Sequence, residues 1–247
     1  MLALTKSTPV AAILALVEAG RGKLHLLSVP TAGFGADLLA AADALGAIEA
    51  GATVVPGFGL PPRLRSGVSR GAIREIPSSC PLIEMQLVAG AMGLRFTEVP
   101  GIEGSALAHD RDDFRVIESP FHAGEKMILA PALNPDAAII HGSRADHYGN
   151  VVASIHTEDR LVARASRYVI ATVERVATDA LDSLSPEEEV IPALLIDRVC
   201  LAPKGASPWA CAGVYAENPA LLRRWFSGTD ADGKEALTAL TAEVVRA

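Results

Sequence analysis

Ten residues of this chain, HGSRADHYGN at 141–150, bring together two histidines, an arginine and an aspartate. His141, Asp146 and His147 offer three kinds of chemistry: metal ligation, an acid–base pair, or the polar turn that ends a buried strand. The step from His141 to His147 straddles a turn and matches no spacing that closes a zinc site. Apolar runs flank the stretch, AAIIHGS before it and NVVASI after it. A strand–turn–strand corner is therefore expected. Gly149-Asn150 would supply left-handed turn backbone, and the Asp146 carboxylate would accept from amides that follow it. No metal is expected here, and the chemistry is expected elsewhere.

Other residues could carry it. Glu84 lies inside the apolar run PLIEMQLVAGAMG, and Cys80 sits one turn earlier. A carboxylate in an apolar wall has a raised pKa, and a thiol at a helix start a lowered one. The plainer alternative makes Glu84 part of an exposed stripe and Cys80 filler. Glu103, in GIEGS, falls in a loop just beyond a strand, where α/β sheets place their ligands. Gly33-Phe34-Gly35 and Gly57-Phe58-Gly59 are glycine turns whose free N–H groups could host a phosphate or thioester oxygen, or could simply be tight turns. Leu38 and Pro62 stand where a dinucleotide fingerprint needs its third glycine. Arg63, Arg65, Arg70 and Arg74 form a basic run, suited either to several phosphates or to a solvated helix face. GxxxxGK[ST], GxSxG and HExxH are absent.

The elements that must position these residues follow from hydrophobic patterning. The 247 residues are 50% apolar but only 4% aromatic, which suits short buried strands under Ala-rich helices. A net charge of −7 argues against general nucleic-acid binding. Three cysteines without CxxC spacing read as free thiols in a reducing cytoplasm. The run Val10–Val17 is too short to cross a membrane and is expected to be a helix capped by Thr8, with Pro9 in its first turn and Gly20 closing it. Strands are expected at 23–29, 52–56, 72–76, 94–99, 127–133, 137–143, 150–155 and 168–174, and helices at 36–45, near 61–70, at 81–93 and at 157–167, with two more near the C-terminus. A long loop-rich stretch covers 100–125, and a Pro-rich passage 186–208. This βα rhythm predicts one α/β domain over 1–247: an open, mostly parallel twisted sheet with helices on both faces.

Several stretches, in order, carry a resemblance to a known family: STPVAAILALVEAGRGKLHLLSVP, AGAMGLRF, SPFHAGEKMILAPALNPDAAIIHGSRADHYGNVV, ASRYVIATVERV and APKGASPWACAGVYAENPALLRRW. The chain resembles the A (alpha) subunit of family I CoA-transferases, in the glutaconate CoA-transferase-like branch. The resemblance implies a NagB/RpiA/CoA-transferase-like fold, a homologous B subunit commonly assembled as A2B2, and transfer of CoA between a carboxylic acid and an acyl-CoA thioester, with no permanently bound cofactor. The nucleophilic glutamate would sit on the B subunit, whose Ser-Glu-Asn-Gly-type motif is missing here. The same branch contains hydrolases that open a steroid ring as its CoA thioester, with an A-subunit glutamate where this chain has Cys80. Glu84 is the nearest carboxylate to stand in, and the alternatives are a CoA-thioester or C–C hydrolase and a non-catalytic scaffold. Three departures bear on the pocket: Cys80 itself, TKST in place of a Gly-rich loop after a shortened first strand, and TEVPGIEGS where relatives often carry an arginine. Glu84 and Glu103 are accordingly the candidate catalytic residues of this chain, and Gly33, Phe34, Gly35, Ser79, Cys80, Gly104 and Ser105 the candidate CoA and substrate pocket. A cytoplasmic protein with neither nucleic-acid nor membrane partners is expected.

Overall fold

The computed structural model describes all residues except 32, 179–180, 182, 229–232 and 246–247. Its centre is a seven-stranded sheet in which every adjacent pair runs parallel. The strands are β1 (Leu2–Thr5), β2 (Leu24–Val29), β3 (Leu45–Ala50), β4 (Arg74–Ile76), β8 (Ala137–Gly142), β11 (Val169–Val173) and β13 (Arg198–Leu201). Their spatial order is β13-β11-β8-β1-β2-β3-β4. The chain thus builds outward from β1 in one direction, then restarts at β8 and builds in the other. The order reverses between β1 and β8.

Alternation of side chains along each strand divides the interior into two layers. Leu2, Leu4, Leu26 and Ile139 face one layer, covered by α1 (Val10–Glu18), α2 (Gly33–Ala41), α3 (Pro62–Ser69), α7 (Pro219–Phe226) and α8 (Gly233–Val245). Ala3, Leu27, Val29, Ala138 and Ile140 face the other, covered by α4 (Cys80–Ala91) and α6 (Asp159–Ala165). Small residues in the central strands let the helices approach closely, as the Ala-rich composition implied.

Two three-stranded antiparallel sheets stand outside the main one. β5 (Phe96–Glu98), β7 (Lys126–Pro131) and β6 (Arg115–Glu118) make the first. The second comprises β9 (Arg144–Ala145), β10 (Val151–Ser154) and β12 (Glu188–Ile191). The runs 94–99, 127–133 and 150–155 are therefore strands as expected, but not of the parallel sheet. The loop-rich 100–125 contains β6 and the single-turn helix α5 (Ala106–His109).

Two local expectations are corrected. The third parallel strand is Leu45–Ala50, not 52–56, and α2 ends at Ala41. Asp43 has φ +54 and breaks the helix early, so the Leu-Gly-Ala-Ile run is free to extend as a buried strand. Residues 52–56 form an open connection tied by a Val55–Gly59 bridge and by the Thr31 hydroxyl, which donates to the Val54 carbonyl. Thr8 does not cap α1, because it has φ +42 and its hydroxyl donates to the Lys6 carbonyl; Pro9 is the N-cap. Among the described residues no helix is long and apolar enough to cross a membrane.

Candidate functional site

The residues expected to form a pocket fall along the C-terminal edge of β2, β3 and β4. Cys80 begins α4, with Ser79 as its N-cap accepting from the Leu82 amide. The Cys80 thiol donates to the Pro30 carbonyl at 3.3 Å, so the helix start and the β2–α2 turn are in contact. Gly51, after β3, makes that contact possible: a Cβ there would lie 2.3 Å from the Cys80 Sγ. Ser105 caps α5 by accepting from the Ala108 amide, and Ile102, Leu107 and Ala108 pack on a small cluster containing Leu82 of α4. Arg111 fixes this loop to the sheet. It donates to Glu49 at 2.7 Å, to the Pro77 carbonyl at 2.9 Å and to both oxygens of Asp113.

The side chains themselves are disposed unequally. Glu84 is on the exposed face of α4, not in an apolar wall, and Glu103 and Gly104 are exposed. Glu84 lies close enough to Glu158 that, after burial itself, it and Glu189 push the Glu158 carboxyl upward. Gly33-Phe34-Gly35 is the buried first turn of α2, where Phe34 is 2% exposed and packs against Trp209, Trp225 and Phe226. Arg63 is no part of a solvated face. It is 1% exposed, its guanidinium lies over the Trp225 ring at 4.3 Å, and it donates to the Trp225 carbonyl. Arg65, Arg70 and Arg74 do point outward.

A second group of polar residues, of which only His141 was singled out in the sequence, lies where the strand order reverses. Open parallel sheets bind ligands in the crevice at such a switch point, because the loops there diverge to opposite faces. Here a cleft of about 290 Å³ opens beyond the ends of β1 and β8, lined by Lys6, Ser7, His141, Ser154, Thr157 and Cys211 among others. Its floor is polar. The Ser7 hydroxyl accepts from the His141 amide at 3.2 Å and donates to Asp159 Oδ1 at 3.1 Å, and the Thr5 hydroxyl donates to the same oxygen. Thr157 Oγ1 stands 2.8 Å from Asp159 Oδ2 and 2.8 Å from the Ser154 carbonyl. Asp159 is fully buried among these hydroxyls, and burial pushes its carboxyl up to about 7 despite them.

One wall of the cleft is held by the first histidine of the 141–150 stretch. His141 Nδ1 is 2.8 Å from the Thr172 hydroxyl and Nε2 is 2.8 Å from Glu174 Oε1. Glu174 also accepts from the Tyr215 hydroxyl and from the Lys204 and Gly205 amides. Burial alone would raise the Glu174 carboxyl; the bonds from His141, Tyr215 and Lys204 instead hold it below the ordinary range. Glu174 thereby anchors the loop that carries Trp209 and Cys211 over the cleft. His141, Glu174 and Cys211 bring one donor atom each within 4.8 Å of one another. That set is poorly suited to a cation, because both Glu174 oxygens are already engaged and burial holds the Cys211 thiol up to about 12.

The corner after His141 is architecture, as expected. Asp146 accepts from the Tyr148 and Asn150 amides, Gly149 has φ +90, and the Asn150 side chain accepts from the Ala193 amide. Only Gly149 of the Gly-Asn pair is left-handed. His141 itself departs from the expectation, since it belongs to a cleft wall.

A parallel sheet whose strand order reverses beside a polar cleft defines an open α/β protein of the kind that binds ligands at the switch point. Residues 2–202 match the family model of coenzyme A transferase, and the chain belongs to that family. The A subunit of glutaconate CoA-transferase from Acidaminococcus fermentans is 32% identical over 176 residues, 64% of this chain and 55% of that protein. The A subunit of 3-oxoadipate CoA-transferase from Pseudomonas knackmussii is 29% identical over 246 residues, 98% of this chain and 85% of that protein. The cholesterol ring-cleaving hydrolase IpdA subunit of Rhodococcus jostii is 28% identical over 163 residues, 62% of this chain and 54% of that protein. The matches thus span little more than half the length of two of these relatives. The solved glutaconate CoA-transferase of Acidaminococcus fermentans superposes with a TM-score of 0.82 at 29% identity, covering 98% of this chain and 82% of that one. A decarboxylase, AibA/AibB, gives the same TM-score and identity over 96% and 92%.

Proposed function

We propose that this chain is the A subunit of a heteromeric CoA-transferase that moves CoA between a carboxylic acid and an acyl-CoA thioester. The observation that supports it most is the full-length agreement with transferase A subunits, in sequence with the oxoadipate enzyme and in fold with the glutaconate enzyme. In this reading the chain folds as one unit, works in the cytoplasm without a resident cofactor, and joins a homologous B subunit in an A2B2 assembly. The B subunit brings the glutamate that attacks the thioester carbon and, through a mixed anhydride, becomes the CoA-bearing acyl group. This chain supplies the other half of the catalytic pocket, along the edge of β2, β3 and β4: the 30–36 turn, Ser79 and Cys80 at the start of α4, and the 101–106 loop, with Glu84 and Glu103 as its candidate carboxylates.

The complex incubated with acyl-CoA and then borohydride should acquire a reduced glutamate on the partner chain, located by peptide mass spectrometry. A label on this chain would overturn the division of roles. A second reading, hydrolysis or decarboxylation of an acyl-CoA, is favoured by the likeness to AibA/AibB and to the IpdA subunit. Release of free acid or of carbon dioxide without an acceptor acid, lost on Glu84→Gln or Glu103→Gln, would replace the first reading with it.

A further inference from the structure

The candidate pocket along β2, β3 and β4 is built from separate pieces of chain, chief among them the start of α4 and the 101–106 loop. Each has its own local fastening. Val99, just before the loop, is buried, and its amide donates to the Ile128 carbonyl at 2.9 Å. Within the loop the Ser105 hydroxyl donates to the Ile102 carbonyl and accepts from the Ala108 amide. Ile102, Leu107 and Ala108 pack on the cluster that contains Leu82 of α4, but apolar contacts carry no direction. Something else must set the spacing of loop and helix.

Arg111 stands where that spacing is decided. Its side chain is 5% exposed. Nη1 donates to Glu49 Oε1 at 2.7 Å and to the Pro77 carbonyl at 2.9 Å. Nε and Nη2 donate to the two oxygens of Asp113 at 2.8 and 2.9 Å. The guanidinium also lies over the Phe114 ring, 4.7 Å from its centroid. Each arm of this junction leads into the pocket wall. Glu49 comes two residues before Gly51, which lets Cys80 approach the sheet, and Pro77 two residues before the Ser79 cap. Phe114 belongs to the same cluster as Leu82. A planar cation with fixed donor directions sets both distance and orientation, which an ammonium on a flexible stem does not.

We propose that Arg111 is a positioning residue for this pocket, acting through Ser79, Cys80 and the 101–106 loop to hold helix start and loop at the separation that receives an acyl-CoA. The loop so held is a wall, formed before any ligand arrives. Only the acyl-CoA rests on the transferase reading. The junction and its effect on Cys80 stand on this chain alone.

The test is alkylation of the full chain by iodoacetamide, followed at each cysteine by peptide mass spectrometry. Cys80 is half-buried against the Pro30 carbonyl, Cys200 is exposed and Cys211 is buried. Arg111→Lys releases the Pro77 carbonyl and the segment leading into α4, and should quicken Cys80 alkylation about fivefold. Cys200 should keep its wild-type rate. Leu240→Ala opens a cavity under α8 on the opposite face of the sheet and reports the effect of lost stability alone. A Cys80 rate unchanged in Arg111→Lys, or raised equally in Leu240→Ala, would overturn the proposal. Asp113→Asn is the milder change and leaves Glu49 and Pro77 engaged. It should speed hydrogen–deuterium exchange across 101–110 severalfold, and unchanged exchange there would overturn the proposal even if Arg111→Lys does not fold. In the complex with the partner subunit, assayed with glutaconyl-CoA and acetate, Arg111→Lys should raise KM for the thioester about tenfold and change kcat less than about threefold. A fall in kcat at unchanged KM would count against a positioning role. Absence of transfer by the wild-type complex would count against the transferase reading and leave the alkylation result standing.

Discussion

At the scale of single residues, two carboxylates at the switch-point cleft, the buried Asp159 and the half-buried Glu174, are pushed in opposite directions. Against the rise that burial alone would give, Glu174 is held below its ordinary range by its bonds from His141, Tyr215 and the Lys204 amide. Its contribution to stability is complete above the unfolded carboxylate range of about 4 and is lost as pH falls through the lowered folded value. Glu174→Ala leaves His141 and three further donors without their acceptor, and should cost about 3 kcal/mol in urea unfolding at pH 7. Asp159 has the reverse sign. Its folded value is raised to about 7, so its stabilisation is present below about pH 4 and lost as pH rises through 7. Asp159→Asn removes the buried charge and keeps an amide oxygen that can accept from Thr5 and Ser7. It should therefore be more stable than wild type at pH 8, on the order of 2–4 kcal/mol, and that advantage should shrink toward pH 5.

At the scale of elements, α4 determines how the candidate pocket residues meet. Its Gly90 packs so close to the next segment that a Cβ would lie 2.1 Å from the Leu133 carbonyl oxygen and 2.8 Å from the Asn134 amide nitrogen. The Leu133 backbone cannot give way cheaply, and the Asn134 amide is held by its bond to the Ala165 carbonyl. Gly90→Ala should cost about 2–4 kcal/mol by chemical denaturation, more than its gain in helix propensity returns. Gly51→Ala tests the other end of the same helix. Its Cβ would meet Cys80 Sγ at 2.3 Å and the Cys80 backbone nitrogen at 2.7 Å, so it must push the start of α4 off the sheet edge. In this variant the reaction of Cys80 with a small thiol reagent should quicken severalfold, followed by mass spectrometry at that residue, because the contact with Pro30 is broken.

Across the whole molecule, one polar node ties the C-terminal helices to the start of the chain. Asp37 of α2 accepts from the Arg63 and Leu64 amides at 2.9 Å and from the Trp225 indole at 2.8 Å, and all three residues are buried. Arg63 stacks on Trp225 and donates to its carbonyl. Asp37→Ala would strand these donors and should cost about 3–5 kcal/mol. Limited proteolysis should then cut first between α7 and the rest of the molecule, reporting release of this end before global unfolding.

The class of the fold and the corner at 141–150 were legible in the residue order alone. Both are local: apolar runs of strand or helix period, glycine turns, and an aspartate that bonds amides four residues away or fewer. The Cys80 helix start was legible too, because its Ser-x-Pro entry is a local signal. The third strand was misplaced because a helical run of alanines masks a break that depends on Asp43 adopting left-handed backbone. Strand order could not be read, since it depends on which edges meet after collapse. Folding in three dimensions set β1 beside β8, brought Ser7 to Asp159 across 152 residues and His141 to Glu174 across 33, and turned an expected family-marking histidine into the wall of a cleft. The physical reason is that burial decides protonation and charge. A carboxylate in TEDRL reads as a solvated helix start until the sheet closes over it.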